Sequence, residues 1–148
     1  MLNGGTAIYL MEAKNMTRIL LVEDDKSIID NLTVFLKKEG FDVDAATGQK
    51  AALDKLNSAS YDLLLLDIAL KDGNGFSVCS AVKSGFNIPV IFLTASDDEY
   101  SVVAGFDVGA DDYIRKPFRP RELISRIKNV LRRSNKLGTT IEYKGITI

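Results

Sequence analysis

A chain of 148 residues with 46% apolar content has the size of one domain with short extensions and enough apolar side chains to fill its core. Lys and Arg number 19 against 20 Asp and Glu, and the resulting net charge of -1 leaves no cationic excess with which this segment could grip nucleic acid. One cysteine, Cys79, excludes an internal disulfide and suits a reducing cytosol, and the absence of histidine excludes histidine kinases, histidine phosphotransfer domains and His-based zinc enzymes.

Residues 1–15 contain an apolar stretch, Ala7 to Met11, with no cation before it and with Glu12 and Lys14 directly after it. That is not a signal peptide, and the segment reads as an N-terminal extension or a cloning remnant ahead of a domain over residues 16–134. The longest apolar runs are strand-sized, so no membrane-spanning segment and no membrane partner are expected. From Arg18 onward two periodicities alternate. Ile19 to Val22 is a short continuous apolar run, expected as a strand. Residues 26–39 carry Ile28, Ile29, Leu32, Phe35 and Leu36 as a helical stripe, stopped by Gly40. Phe41 to Ala46 reads as a strand, and residues 48–57 as a helix with Ala51, Ala52, Leu53 and Leu56 inward. Leu63 to Leu66 is the second apolar run. Residues 75–84 are helical through Phe76, Cys79 and Val82, with Gly85 as the stop. Pro89 opens the third run, Val90 to Leu93. Residues 98–108 form a helix bearing Val102, Val103 and Phe106, Asp112 to Arg115 a short strand, and residues 120–133 the clearest helix of the chain.

Strands apolar on both faces belong in a parallel sheet covered on both sides, and right-handed crossovers then give a doubly wound α/β fold. Five strands, five helices and the flavodoxin-like order 2-1-3-4-5 are expected. Beyond Arg133 the composition turns polar and then alternates over Ile141 to Ile148. A lone strand cannot bury a face, so residues 135–148 read as a linker and the start of a C-terminal domain that lies beyond this chain.

Open parallel sheets bind ligands beyond the carboxyl ends of their strands. The residues expected there are Glu23, Asp24 and Asp25 after the first strand, Asp67 after the third, Thr94 after the fourth, and Lys116 with Pro117 after the fifth. Taken singly, each has a plainer reading: an N-cap for Asp25, a turn for Asp67, a strand-end hydroxyl for Thr94, a surface cation for Lys116. Four independent strand ends presenting these types together point instead to one site. Clustered carboxylates repel unless a cation joins them, and an all-oxygen set suits a hard metal, Mg²⁺ before Ca²⁺. Metal, a central carboxylate nucleophile and a fixed ammonium are the parts of phosphoryl transfer, with Asp67 as nucleophile, Lys116 as cation and Thr94 as hydroxyl donor.

Four motifs, Ile19-Leu-Leu-Val-Glu-Asp-Asp25, Tyr61-Asp-Leu-Leu-Leu-Leu-Asp67, Phe92-Leu-Thr-Ala95 and Gly109-Ala-Asp-Asp-Tyr-Ile-Arg-Lys-Pro-Phe118, together resemble the receiver domain of two-component response regulators over about residues 17–134. The resemblance implies a phosphoacceptor at Asp67, Mg²⁺ held directly by Asp24 and Asp67 and by the Ala69 carbonyl, Glu23 acting mainly through water, a switch pair Thr94 and Tyr113, and a cis bond between Lys116 and Pro117. It implies a cytoplasmic protein phosphorylated by a sensor histidine kinase. Lys71 departs from the pattern where many members carry proline, and Ala69 has no polar side chain to orient an attacking water.

Asp111-Asp112-Tyr113, with Arg119-Pro-Arg-Glu-Leu123 and Arg126, resembles the OmpR/PhoB group, and Ile141 to Ile148 resembles the first strand of that group's winged-helix DNA-binding domain. DNA would then be bound only through that domain. A homodimer on phosphorylation is implied through the fourth helix, fifth strand and fifth helix. Asp107 is expected to meet Lys128, Asp112 to meet Arg126 and Asp111 to meet Arg133, while Glu122 faces Val102 in place of its usual basic partner. An aspartate-nucleophile phosphatase would need an acid two residues after the nucleophile, where Ala69 stands. A P-loop enzyme would need a G-x-x-x-x-G-K-[ST] run that the sequence lacks.

Overall fold

The computed structural model describes residues 16–95 and 99–134, the side chains of 99–102 excepted. The extension at 1–15, the expected linker and strand at 135–148, and the side chain of Val102 lie outside the described residues. Strands β1 (Arg18–Val22), β2 (Asp42–Ala46), β3 (Leu63–Asp67), β4 (Val90–Thr94) and β5 (Asp112–Arg115) form one parallel sheet in the order β2-β1-β3-β4-β5, as expected. Helices α1 (Lys26–Lys38), α2 (Gln49–Ser58), α3 (Gly75–Gly85), α4 (Glu99–Asp107) and α5 (Pro120–Arg133) supply the crossovers and the last layer.

The three central strands are apolar at nearly every position because the sheet is covered twice. Leu20, Val22, Leu64, Leu66, Val90 and Phe92 face Ala52 and Leu56 of α2 and Val78, Cys79 and Val82 of α3. Their neighbours Ile19, Leu21, Leu63, Leu65, Ile91 and Leu93 face Leu32 and Leu36 of α1 and Leu123, Ile127, Val130 and Leu131 of α5. Strands β3 and β4 are buried at all positions, which places their C-terminal residues, Asp67 and Thr94, at the inner rim of the sheet.

Local signals set the helix ends. The Asp25 carboxylate accepts from the Ser27 and Ile28 amides at 2.9 and 3.2 Å, so this acid starts α1. Gly40, at φ +97°, ends the turn after α1. The helix expected over 75–84 runs one residue further, to Gly85. Gly85 stays in α3, and Asn87 takes the left-handed conformation at φ +53°, with the Phe86 and Asn87 amides both donating to the Val82 carbonyl. Asparagine tolerates that region better than other side chains.

Strand β2 is one edge of the sheet. Its acids are neutralised from the neighbouring strand: Arg18 donates to Asp42 at 2.9 Å and to Asp44 at 2.8 Å, and the Tyr61 hydroxyl donates to Asp44 at 2.6 Å. Among the described residues no helix is long and apolar enough to cross a membrane.

Candidate functional site

Parallel register carries every strand's C-terminal end to one side, and four of them converge there. Val22 pairs with Leu66, Asp67 with Leu93 and Thr94 with Arg115, so the segments following β1, β3, β4 and β5 share a single crevice. Glu23 is 1% exposed, Thr94 4% and Asp67 5%. Burying three polar side chains together in a sheet rim without a purpose would be costly, since each needs a partner.

The partners are defined. The Lys116 ammonium, ahead of a cis bond to Pro117, donates to Glu23 at 2.6 Å and lies 3.5 Å from Asp67. Its own amide donates to the Thr94 carbonyl at 2.7 Å, which fixes the β5 end against β4. Glu23 also accepts from the Asp25 amide at 3.1 Å, and Asp67 from the Ala69 amide at 3.1 Å. Asp24 is half-buried and accepts from the Lys71 amide at 3.0 Å. Burial pushes the Glu23 carboxyl up, against the pull of the Lys116 hydrogen bond. Burial works to lower the Lys116 ammonium, but Glu23 and Asp67 outweigh it and hold the charge on above its ordinary range.

Glu23, Asp24 and Asp67 each present an oxygen within 4.8 Å of the others'. One ammonium against three carboxylates leaves an uncompensated negative charge, and the donors are all hard oxygens. That set fits a divalent cation of the Mg²⁺ type. Ala69 is exposed beside it in the loop that follows β3.

A family model described as response regulator receiver domain matches residues 19–128. The chain belongs to the response regulator receiver domain family. This receiver domain is 43% identical over 133 residues to Response regulator ArlR of Staphylococcus saprophyticus, covering 90% of the chain and 60% of the relative. It is 45% identical over 118 residues to Sensory transduction protein RegX3 of Mycobacterium bovis, covering 80% of the chain and 52% of the relative. The chain therefore spans little more than half of the curated relatives it matches. Among solved structures, a two-component response regulator from Clostridium difficile superposes with a TM-score of 0.79 at 32% identity, over 81% of this chain and 99% of that one.

The remaining expected positions of the receiver domain lie along α4, β5 and α5. The Tyr113 ring is turned into the fold, 5.9 Å from the Phe92 ring and 6.3 Å from the Phe106 ring, over the bare backbone of Gly105. Arg126 pairs with Asp112 at 3.0 Å and with Glu122 at 3.2 Å within the one chain. Within the one chain the Asp111 carboxylate is engaged away from Arg133. It takes Lys83 at 2.7 Å and the Val90 amide at 2.8 Å, and Arg133 reaches only the Asp111 carbonyl, at 3.1 Å. Asp107 and Lys128 are exposed, and so are the apolar side chains of Val103 and Phe106.

One close approach was not legible in the sequence. A Cβ on Gly75 would sit 2.5 Å from the Asp67 carbonyl oxygen and 2.8 Å from the Ile68 Cα. The start of α3 is thus pressed against the backbone of Asp67. The Gly-Asn-Gly run signals a turn, but nothing local says which backbone the second glycine must touch.

Proposed function

We propose that this receiver domain is an aspartyl-phosphate switch in which Asp67 accepts a phosphoryl group from the phosphohistidine of a sensor kinase or from a small acyl phosphate. The observation that carries this is a single carboxylate at the end of the central strand, buried, with an ammonium 3.5 Å away and two more carboxylates within 4.8 Å. An Asp67 oxygen attacks phosphorus, the bond to the donor atom breaks with its electron pair, and an acyl phosphate remains on Asp67. Lys116 places a fixed positive charge beside the incoming phosphoryl oxygens, and the Thr94 hydroxyl donates to one of them. Asp24, Asp67 and the Ala69 carbonyl would hold Mg²⁺, with Glu23 acting mainly through water; such an ion would supply positive charge to offset that on the phosphoryl oxygens. Water then takes the phosphoryl group away as inorganic phosphate and slowly returns the Asp67 carboxylate, so the domain acts as a switch and not as a turnover enzyme.

The switch pair is Thr94 and Tyr113. When the Thr94 hydroxyl turns to the phosphate, it vacates space beneath α4 that the Tyr113 ring then fills. We place the chain in the OmpR/PhoB group, in the cytoplasm, with residues 135–148 as the linker and the start of a winged-helix DNA-binding domain that controls transcription. Phosphorylation favours a symmetric dimer through α4, β5 and α5. An apolar groove between α1 and α5, lined by Ile28, Leu32, Phe35, Phe118 and Leu123, supports a protein phosphodonor docking beside the acceptor.

Acetyl phosphate with Mg²⁺ should add one phosphate to the intact mass, and Asp67→Ala or EDTA should abolish the addition. A signal undiminished in Asp67→Ala refutes the assignment.

A further inference from the structure

Helix α2 begins at Gln49 behind Gly48, which has no side chain with which to cap it. The cap arrives from elsewhere in the chain. The Asp72 carboxylate, in the loop between β3 and α3, accepts from the Gln49 amide at 2.7 Å and from the Lys50 amide at 3.3 Å. The contact is returned: the Gln49 side-chain oxygen accepts from the Asn74 amide at 3.4 Å. Both sides are cleared by glycine. A Cβ on Gly48 would overlap the Asp72 carboxylate, and a Cβ on Gly73 would overlap the Gln49 side-chain oxygen. Gly48 has φ -171°, extended backbone open to any residue, so it is small there for space alone.

The loop held this way is the one that leaves Asp67. Residues 71–74 are all exposed, and in the stretch 68–74 Leu70 alone is buried, so apolar burial does little to fix its course. Hydrogen bonds do it instead: the Lys71 amide on Asp24, the Asp72 carboxylate on α2, and the Asn74 amide on Gln49. We infer that Asp72 is a positioning residue, which caps α2 from a distance and thereby holds the 68–74 loop, with its Ala69 carbonyl, against the acidic pocket. This rests on the phosphoacceptor reading above. The opposing reading is an exposed cap that steadies α2 and leaves the pocket indifferent.

Asp72→Ala should raise amide exchange at Gln49 and Lys50, and also across 69–74, and should weaken Mg²⁺ binding, read from amide shifts without any phosphodonor, by about fivefold, the usual worth of one cap. Asp72→Asn keeps a capping oxygen and should bind Mg²⁺ within about twofold of the unaltered chain. Gly48→Ala, which expels the carboxylate without touching Asp72, should reproduce the alanine effect, with far-UV circular dichroism confirming that each variant is folded. Exchange confined to Gln49 and Lys50, with Mg²⁺ affinity unchanged in both Asp72→Ala and Gly48→Ala, overturns the positioning role. An unaltered chain that binds no Mg²⁺ would sink the phosphoacceptor reading instead, and the exchange at 69–74 would still decide whether Asp72 holds the loop.

Discussion

Replacing Lys116 by methionine keeps the length and most of the apolar stem of the side chain and deletes its charge. Glu23 would then be 1% exposed with the Asp25 amide at 3.1 Å still donating to it and its ammonium partner gone. Breaking a buried pair from one side costs roughly 3–5 kcal/mol. The cost has a ceiling, because the carboxyl can take a proton instead of staying charged. From an ordinary value of 4.5, protonation at pH 7 costs about 3.4 kcal/mol, and at pH 5.5 about 1.4 kcal/mol. The variant should therefore lose about 3 kcal/mol at pH 7 and about 1 kcal/mol at pH 5.5. The sign follows from linkage. Without Lys116 the folded-state value of Glu23 lies above its unfolded value, so stability is retained at low pH and is lost as pH rises toward the folded value. Urea midpoints at the two pH values, with and without Mg²⁺, measure this. Mg²⁺ should recover part of the loss at pH 7, since an ion bound only by the native state stabilises it by mass action. A variant as stable as the unaltered chain at pH 7, or a penalty that does not shrink at pH 5.5, refutes the view that Lys116 is the counter-charge on which Glu23 depends.

Gly75→Ala should cost roughly 1–3 kcal/mol in urea unfolding and weaken Mg²⁺ binding, because its new atom meets backbone at Asp67 and Ile68 and not a yielding side chain; an unchanged midpoint contradicts the close approach. The Tyr61 phenol, 5% exposed, is pushed up to about 12, first by burial and then by Asp44. Its unfolded value is near about 10, so stability should hold below that pH and fall by roughly 2 kcal/mol as pH rises toward 12. Tyr61→Phe should flatten that slope in guanidinium midpoints at pH 9 and 11, and equal slopes would remove Tyr61 from the account. Arg126→Glu should abolish dimerisation of the beryllofluoride-treated domain in sedimentation while costing the monomer only about 1 kcal/mol, the scale of a half-exposed pair; an activated domain that stays monomeric at high concentration ends the dimer proposal.

The sheet was readable because its physics is local. Four-residue apolar runs such as Leu63–Leu66 have few places to go other than a strand covered on both faces, and strand ends follow from the runs. The acidic pocket was readable for the same reason: Glu23, Asp67 and Thr94 each sit just past such a run, and Lys116 just past the short strand Asp112–Arg115. Contacts between segments far apart in the chain left no such trace. Nothing near Gly48 announces that Asp72, beyond the whole of α2 and β3, will cap the helix it opens. Asp111 shows this too. Within the one chain its carboxylate, just before β5, lies beside the Val90 amide and the end of α3, where Lys83 takes it. Gly85 closes α3 as its last helical residue, one position past the expected end, and Asn87 supplies the left-handed turn after it.

The acids of β2 bear on how copies of this domain can meet. An open sheet edge invites a strand from another chain, and charge along that edge is a common defence. Asp42 and Asp44 are held by Arg18 from the adjacent strand, so the edge carries charge at little internal repulsion. A foreign strand laid against β2 would have to disturb these ion pairs to bring its own side chains alongside. Association by sheet extension is disfavoured on that flank, which leaves the proposed contact between copies to the opposite side of the sheet, at α4, β5 and α5.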